Sequence, residues 1–362
     1  MARYASRNDP GIYRKALIYL TISVIIIHPQ TKSATLIMQN AKMTEQIDIA
    51  MSVYNGGKWL DEMLDSLANQ TLDNWRLVVW NDGSTDNTAE ILEKWKEKHN
   101  KKIKIVDNPS NTNLGMAAGF TRALEACDAN YIMLADADDI WHPNKVEVSY
   151  KEFLNAKGTL TPQTPCLLHT DMTVIDQNKN IILESYKNPH FQPAKDQNTL
   201  NRIIFENFAS SATMIMNRPL LELSLPIPPE LGLQDWWFAM VACAFGRVFF
   251  CPVQTMLYRR HASNDSRWEK TTIKSQIKRS IQAIFKPLSI RRRIYELLAK
   301  GQTISKLFLY RYEKNLSYSQ RRMLRDYINL RNLPFWKRRL IIIRYGLWFR
   351  HPIIDIGLLI LM

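Results

Sequence analysis

Two acidic clusters stand out by residue type and spacing: Asp82 within N-D-G-S-T-D (Asn81 to Asp86), and Asp136-Ala137-Asp138-Asp139. Clustered carboxylates repel one another. A hard divalent cation relieves that repulsion and leaves coordination positions open for phosphate oxygens, so Mg2+ or Mn2+ is the expected cofactor of the second cluster. In extended backbone the side chains at 136 and 138 point the same way. Asp82 precedes Gly83 and Ser84, which permit a tight turn, and its carboxylate can accept hydrogen bonds from a base edge or a ribose hydroxyl. Taken singly, each cluster is equally a polar turn that caps a helix.

The elements around these clusters give them a common address. Ile47 to Val53 reads as a strand, followed by a helix with Trp59, Leu60, Met63, Leu64 and Leu67 on one face. Arg76 to Trp80 is a second strand, and Thr85 and Asp86 lead into a helix that turns Ile91, Leu92 and Trp95 inward. A third strand (Ile103 to Val106), a third helix (Met116 to Ala126) and a fourth strand (Tyr131 to Ala135) continue the alternation. Such a pattern predicts an α/β fold with a Rossmann-like, mostly parallel sheet, helices on both faces, and a ligand site at the carboxyl ends of the strands. Asp82 and Asp136 both follow strand ends. Pro143 opens another helix, Thr173–Asp176 and Ile181–Glu184 read as a hairpin, and Pro189 to Pro193 reads as a loop.

Bulk composition is that of a packed protein, with 46% hydrophobic and 23% charged residues, and it excludes a disordered chain. Cys127, Cys166, Cys243 and Cys251 form no C-x-x-C pair and read as reduced, buried thiols. The net charge of +14 is unevenly placed: from Arg259 onward there are 24 Lys and Arg against 6 Asp and Glu, whereas residues 1–258 carry −4. A polyanionic partner is therefore expected at the C-terminal third. Lys337 to Arg350 interleaves cations with Leu, Ile, Tyr, Trp and Phe, which fits an anchor on an anionic membrane surface; nucleic-acid binding is the rival, and a solvated packing helix the plain alternative. Ala16 to Ile27 is too short to span a bilayer. Residues 1–42 are read as a peripheral extension preceding a start at Met43, with a weak signal-peptide reading kept open.

Over residues 47–262 the sequence resembles glycosyltransferase family 2, of the GT-A fold. The residues that carry the likeness are S-V-Y-N-G-G (Ser52 to Gly57), N-Q-T (Asn69 to Thr71), N-D-G-S-T-D-N-T (Asn81 to Thr88), N-L-G (Asn113 to Gly115) and D-A-D-D-I-W-H-P-N-K (Asp136 to Lys145). Rhamnosyltransferase-like members are the nearest in kind, through H-T-D at His169, E-N-F at Glu206, L-P-I-P at Leu225, Q-D-W-W at Gln234 and Y-R-R-H at Tyr258. Two departures concern the site: Ala209 to Thr213 lacks a glycine that related members often carry, and Asn81 stands where an aspartate is common.

The resemblance implies an inverting transferase that moves a sugar, hexosyl or rhamnosyl, from a UDP- or dTDP-linked donor to a hydroxyl of a glycan or lipid-linked acceptor in bacterial surface polysaccharide synthesis. Ser52, Val53 and Tyr54 would wall the base, Asp82 would bind base or ribose, Asn113, Gly115 and Ala137 would belong to the donor site, and Asp136 would face the ribose. Asp138 would ligate the metal. Asp235 would be the general base. His261 would close over the diphosphate as a metal ligand, with Arg259 and Arg260 as phosphate partners. His169, Asp171 and Trp236 would line the acceptor pocket. One base, one metal and no evident nucleophile imply a single displacement. Residues 43–262 would form the catalytic domain and 263–362 a basic helical tail, peripheral on the cytoplasmic face of the cell membrane, with no nucleic-acid partner. A sugar nucleotidyltransferase, or a non-catalytic sugar-binding protein of this fold, is the alternative.

Overall fold

The computed structural model describes residues 45–186, 199–232, 234–261 and 287–347. The N-terminal extension, the loop at Pro189–Pro193 and the apolar terminus from Pro352 lie outside the described residues. All the elements belong to the unit Gln46–Met362.

Strands β1 (Ile47–Val53), β2 (Trp75–Asn81), β3 (Ile103–Val106) and β4 (Tyr131–Ala135) run parallel, in the order β3-β2-β1-β4. Helices α1 (Leu60–Ala68), α2 (Thr88–Lys98) and α3 (Met116–Glu125) connect them. Side chains alternate across the sheet. Ala50, Val78, Trp80, Ile132 and Leu134 enter one core with Phe120 and Ala123 of α3. Tyr131 points to the other face, its ring 4.8 Å from that of Tyr150 on α4 (Lys145–Lys157). Helices on both faces of a parallel block are what the sequence pattern predicts.

Beyond β4 the sheet becomes mixed. Strand β8 (Met214–Asn217) lies antiparallel to both β4 and β6 (Cys166–Asp176), and β9 (Arg247–Arg260) runs parallel to β6. Strands β5 (Ile140–Trp141) and β7 (Ile181–Leu183) add antiparallel edges to β9 and β6. The β6–β7 pair is the predicted hairpin. Once α4 has ended, the strict strand-helix alternation stops; a short return makes the antiparallel β6–β7 pair, and the other antiparallel pairs join strands far apart in the chain.

Register explains why the acidic motifs meet. Val53 pairs with Asn81 and Met51 with Ala135, so the chain leaves β1, β2 and β4 at neighbouring points, delivering Tyr54, Asp82 and Asp136 to one edge. Ile140 pairs with Leu257, so the segment just before β5 is drawn alongside Arg259 and His261.

The second core element is α7 (Gln234–Phe245), apolar around its whole circumference and buried from Trp236 to Ala242. It is covered by α6 (Arg218–Ser224) and by α8 (Pro287–Tyr312), whose Phe308 and Tyr312 rings stand 5.6 and 5.8 Å from Trp237. Arg311 donates to the carbonyls of Ser224 and Pro226 at the end of α6. Helices α9 (Tyr318–Ile328) and α10 (Phe335–Tyr345) complete the layer, with Asn201 at α5 (Leu200–Ile203) donating to the Tyr345 carbonyl at 2.9 Å. The basic C-terminal helices thus share a core with α7 through Phe308, Tyr312, Tyr327 and Ile342.

Candidate functional site

The Ser52–Gly57 and Asn81–Thr88 motifs hold one another. Asn55 Oδ1 accepts from Thr85 N at 2.8 Å, Gly56 N donates to Thr88 Oγ1 and Gly57 N to Asp86 Oδ2, each at 2.9 Å. These bonds knit the Ser52–Gly57 turn to the Asn81–Thr88 turn. Gly83 has φ +74°, and a Cβ there would lie 2.7 Å from the Asn111 carbonyl oxygen, so this turn requires glycine. Asp82 itself is buried. Its Oδ1 accepts from Trp80 Nε1 at 2.9 Å and Leu114 N at 2.8 Å, and its Oδ2 from Gly115 N at 2.9 Å. Asn113 Oδ1 also accepts from Gly115 N, at 3.0 Å. The carboxylate therefore fixes the Asn113–Gly115 loop at the mouth of α3. Ser52 packs against Gly119, where a Cβ would fall 2.2 Å from Ser52 Oγ, while Val53 is buried and Tyr54 is 53% exposed beside the turn.

The second cluster is assembled differently. Asp138 Oδ2 lies 2.8 Å from His261 Nε2, and the imidazole stacks on Trp59 with centroids 6.0 Å apart. Asp139 is fully buried, and its Oδ1 accepts from Arg259 N at 3.0 Å. Burial, then the charges of Asp138 and Asp136, push its carboxyl well above the usual range. Lys145, also buried, donates to Thr255 Oγ1 at 3.1 Å, and burial lowers its ammonium to about 7 against the pull of Asp139. Asp136 is raised to about 7, first by burial and then by the charges of Asp138 and Asp235. Ala137 sits between these carboxylates, opposite Gly56.

Arg259 does not take the phosphate-facing place expected for it. Its guanidinium is fully buried, donates to the Asp138 carbonyl at 2.9 Å, pairs with Glu62 and lies 4.3 Å over the Trp59 ring. Lys179 pairs with the other oxygen of Glu62. Arg260, next along β9, is half-buried and acts electrostatically on Tyr186.

Asp235 opens α7. Burial raises its carboxyl to about 6, partly opposed by hydrogen bonds from Trp236 N, Asn207 and Ser211 N. Its charge is felt by Asp136 and by Tyr186, so α7 brings it to the acidic centre built by β4 and β9. Tyr186 is raised by burial, then by Glu206 and Asp235.

The three expected acceptor residues are core residues. His169 is 1% exposed and lies between Phe208 and Phe250, ring centroids 5.9 and 5.0 Å away. Asp171 is buried and accepts from Ser185 Oγ at 2.5 Å and Gln254 Nε2 at 2.9 Å. Trp236 is buried, its indole N–H donating to the Ile203 carbonyl at 2.5 Å. The resemblance implied a pocket lining, but β6 is buried over nearly its whole length, which places His169 and Asp171 in the interior, and Trp236 belongs to the buried stretch of α7. Glu62 and Tyr186 carry no sequence signal of their own; Lys145 and Asn207 stand within motifs of the resemblance and Trp59 on an apolar helix face, but the sequence alone singles out none of the three for the site.

Among the described residues no three His, Cys, Asp or Glu side chains converge closely enough to hold a metal unaided. Asp138 and His261 nevertheless could supply two ligands to a divalent cation, and the charge of Asp138, which adds to burial in raising Asp136, is repulsion that such a cation would relieve.

Residues 48–203 match the family model for glycosyl transferase family 2. The chain is 30% identical over 149 residues to chondroitin synthase of Pasteurella multocida, covering 41% of this chain and 14% of that protein. It is likewise 30% identical over 177 residues to an uncharacterized glycosyltransferase of Haemophilus influenzae, 47% of this chain and 51% of that one. The chain thus spans about half the length of one of these relatives and far less of the other. Among solved structures, S. aureus TarS 1–349 is similar in fold, with a TM-score of 0.50 and 19% identity, covering 84% of this chain and 93% of that chain.

Proposed function

The chain carries a glycosyltransferase family 2 domain, and from that premise we propose that it transfers a hexosyl or rhamnosyl group, with inversion, from a UDP- or dTDP-linked donor to a hydroxyl of a glycan or lipid-linked acceptor. The observation that carries this reading is the meeting of Asp136, Asp138 and His261, at the ends of β4 and β9, with Asp235 at the start of α7.

In this reading the donor's base lies between Tyr54 and the turn that Asp82 fixes. Asp136 faces the ribose. Asp138 and His261 would hold a divalent cation, Mg2+ or Mn2+, which supplies electrostatic stabilisation to the departing diphosphate. Asp235 takes the proton of the acceptor hydroxyl. As that oxygen forms its bond to the anomeric carbon, the bond from the anomeric carbon to the diphosphate oxygen breaks, and the nucleoside diphosphate leaves with its electron pair. A carboxyl raised to about 6 by burial is ionised at neutral pH yet basic enough to accept that proton. Arg260 balances negative charge near the reacting groups. Surface polysaccharide assembly at the inner face of the cell membrane is the setting that suits such a transfer.

Incubating the purified chain with a set of nucleotide sugars, with and without Mn2+ and a membrane lipid extract, tests the reading. Nucleoside diphosphate should be released with at least one donor, dependent on metal and acceptor, and lost in Asp138→Ala. Failure to release it with any donor overturns the assignment.

A further inference from the structure

Helix α10 presents an outward face that a helix surrounded by water does not need. Its inward side is set by Ile342, which is fully buried, and by Tyr345, whose carbonyl accepts from Asn201. At 100° per residue, Trp336, Leu340 and Ile343 lie together on the opposite side, and they are 58%, 59% and 60% exposed. Phe335, 49% exposed, lies outside this patch, beyond Arg339 and towards the side of Ile342. Arg339 falls on one flank of this apolar stripe, and Lys337 and Arg344 on the other. Thus the side facing away from the protein is apolar at its centre and cationic along both edges.

Three aliphatic or aromatic side chains at spacing i, i+4 and i+7 would ordinarily be the buried stripe of a surface helix. Here the buried stripe is a different one. The surroundings add to the charge: residues 287–347 hold 15 Lys and Arg against 3 Asp and Glu. Long cationic side chains lay their methylenes along apolar groups while holding their charge outward, and Arg339 already lies over the Phe335 ring at 3.3 Å. Among the described residues no helix is long and apolar enough to cross a membrane, so this element would lie in an interface.

We infer that α10 docks the chain on an anionic lipid surface, with Trp336, Leu340 and Ile343 entering the acyl boundary and Lys337, Arg339 and Arg344 meeting the headgroups. Charge complementarity selects this partner over a second copy of the chain, because two copies meeting through this face would bring both sets of flanking cations together. The C-terminal end of α10 meets α5 through Asn201, and none of its exposed residues belongs to the acidic centre.

Co-sedimentation of the full chain with vesicles tests this directly. The wild-type chain should pellet with phosphatidylcholine vesicles containing about 30% phosphatidylglycerol, much less with phosphatidylcholine alone, and progressively less as salt rises. The triple variant Trp336→Ser, Leu340→Ser, Ile343→Ser should lose about tenfold or more in partitioning with an unchanged melting temperature, because the three side chains are exposed. Should that variant fold poorly, Lys337→Glu with Arg344→Glu should abolish the preference for anionic vesicles. Wild-type chain that stays in the supernatant, or variants that pellet like wild type, would overturn the proposal. So would a wild-type dimer that becomes monomeric in the triple variant without any vesicle binding. Asp235→Asn should bind vesicles normally, which separates this proposal from the assignment of the reaction.

Discussion

Asp82 and Asp235 are both aspartates placed at the end of a strand or the start of a helix, yet their surroundings assign them different work. Asp82, on the proposed nucleotide side, accepts three hydrogen bonds from Trp80, Leu114 and Gly115 and fixes a loop. Asp235, on the proposed reaction side, is raised to about 6 by burial and acts on Asp136, itself raised to about 7. Asp235 is also donated to, by Trp236 N, Asn207 and Ser211 N, but its burial outweighs those bonds. It stands beside Asp136, which burial and the charges of Asp138 and Asp235 raise, and such crowding is relieved when a proton or a cation arrives.

Substitutions on the two sides should therefore fail differently. The largest effect is expected on the reaction side, where Asp235→Asn should lower turnover by roughly 10²- to 10⁴-fold, the usual range for a general base, with donor KM little changed. Stability should move the opposite way. Because burial raises the Asp235 carboxyl from 3.8 to about 6, the stability it contributes is present below about pH 3.8 and lost as pH rises through 6, so Asp235→Asn should melt higher than wild type at pH 8 and not at pH 4. His261→Ala should follow, with about a 10- to 100-fold loss of metal affinity or activity, checked by Mn2+ titration of donor turnover. On the nucleotide side, Asp82→Ala removes the acceptor that Trp80 Nε1 and Leu114 N use and one of the two that Gly115 N uses. It should cost about 1–3 kcal/mol in urea unfolding and raise donor KM, while the turnover that remains keeps its pH dependence. The smallest functional effect is expected at His169, where Phe should fill the space between Phe208 and Phe250 and leave acceptor KM within about twofold of wild type.

The parallel block was readable because every strand from Ile47 to Ala135 is a short apolar run followed by a helix of regular period, and local chemistry alone decides such units. The Asp136–Asp139 cluster was readable for the same reason: its residues are consecutive. The support beneath it was not. Glu62 reaches Arg259 across 197 positions of chain, and the position of Arg259 depends on β5 pairing with β9, which no local pattern encodes. For the same reason Arg259 and Arg260 look interchangeable in sequence, although alternation along β9 buries one guanidinium and leaves the other half-buried. His169, Asp171 and Trp236 show the converse limit, since a polar or aromatic residue lines a pocket only if its element is not covered, and β6 and α7 are buried over most of their length.

The pH dependence of kcat/KM for acceptor, measured at saturating metal with the wild type and Asp235→Asn side by side, tests the central assignment most directly. If Asp235 is the base on the reaction side, the wild-type value climbs about tenfold per pH unit below an ionisation near 6 and levels above it, and the residual activity of Asp235→Asn lacks that ionisation. A wild-type profile flat from pH 5 to 8, or an Asp235→Asn variant that turns over like wild type, would contradict it.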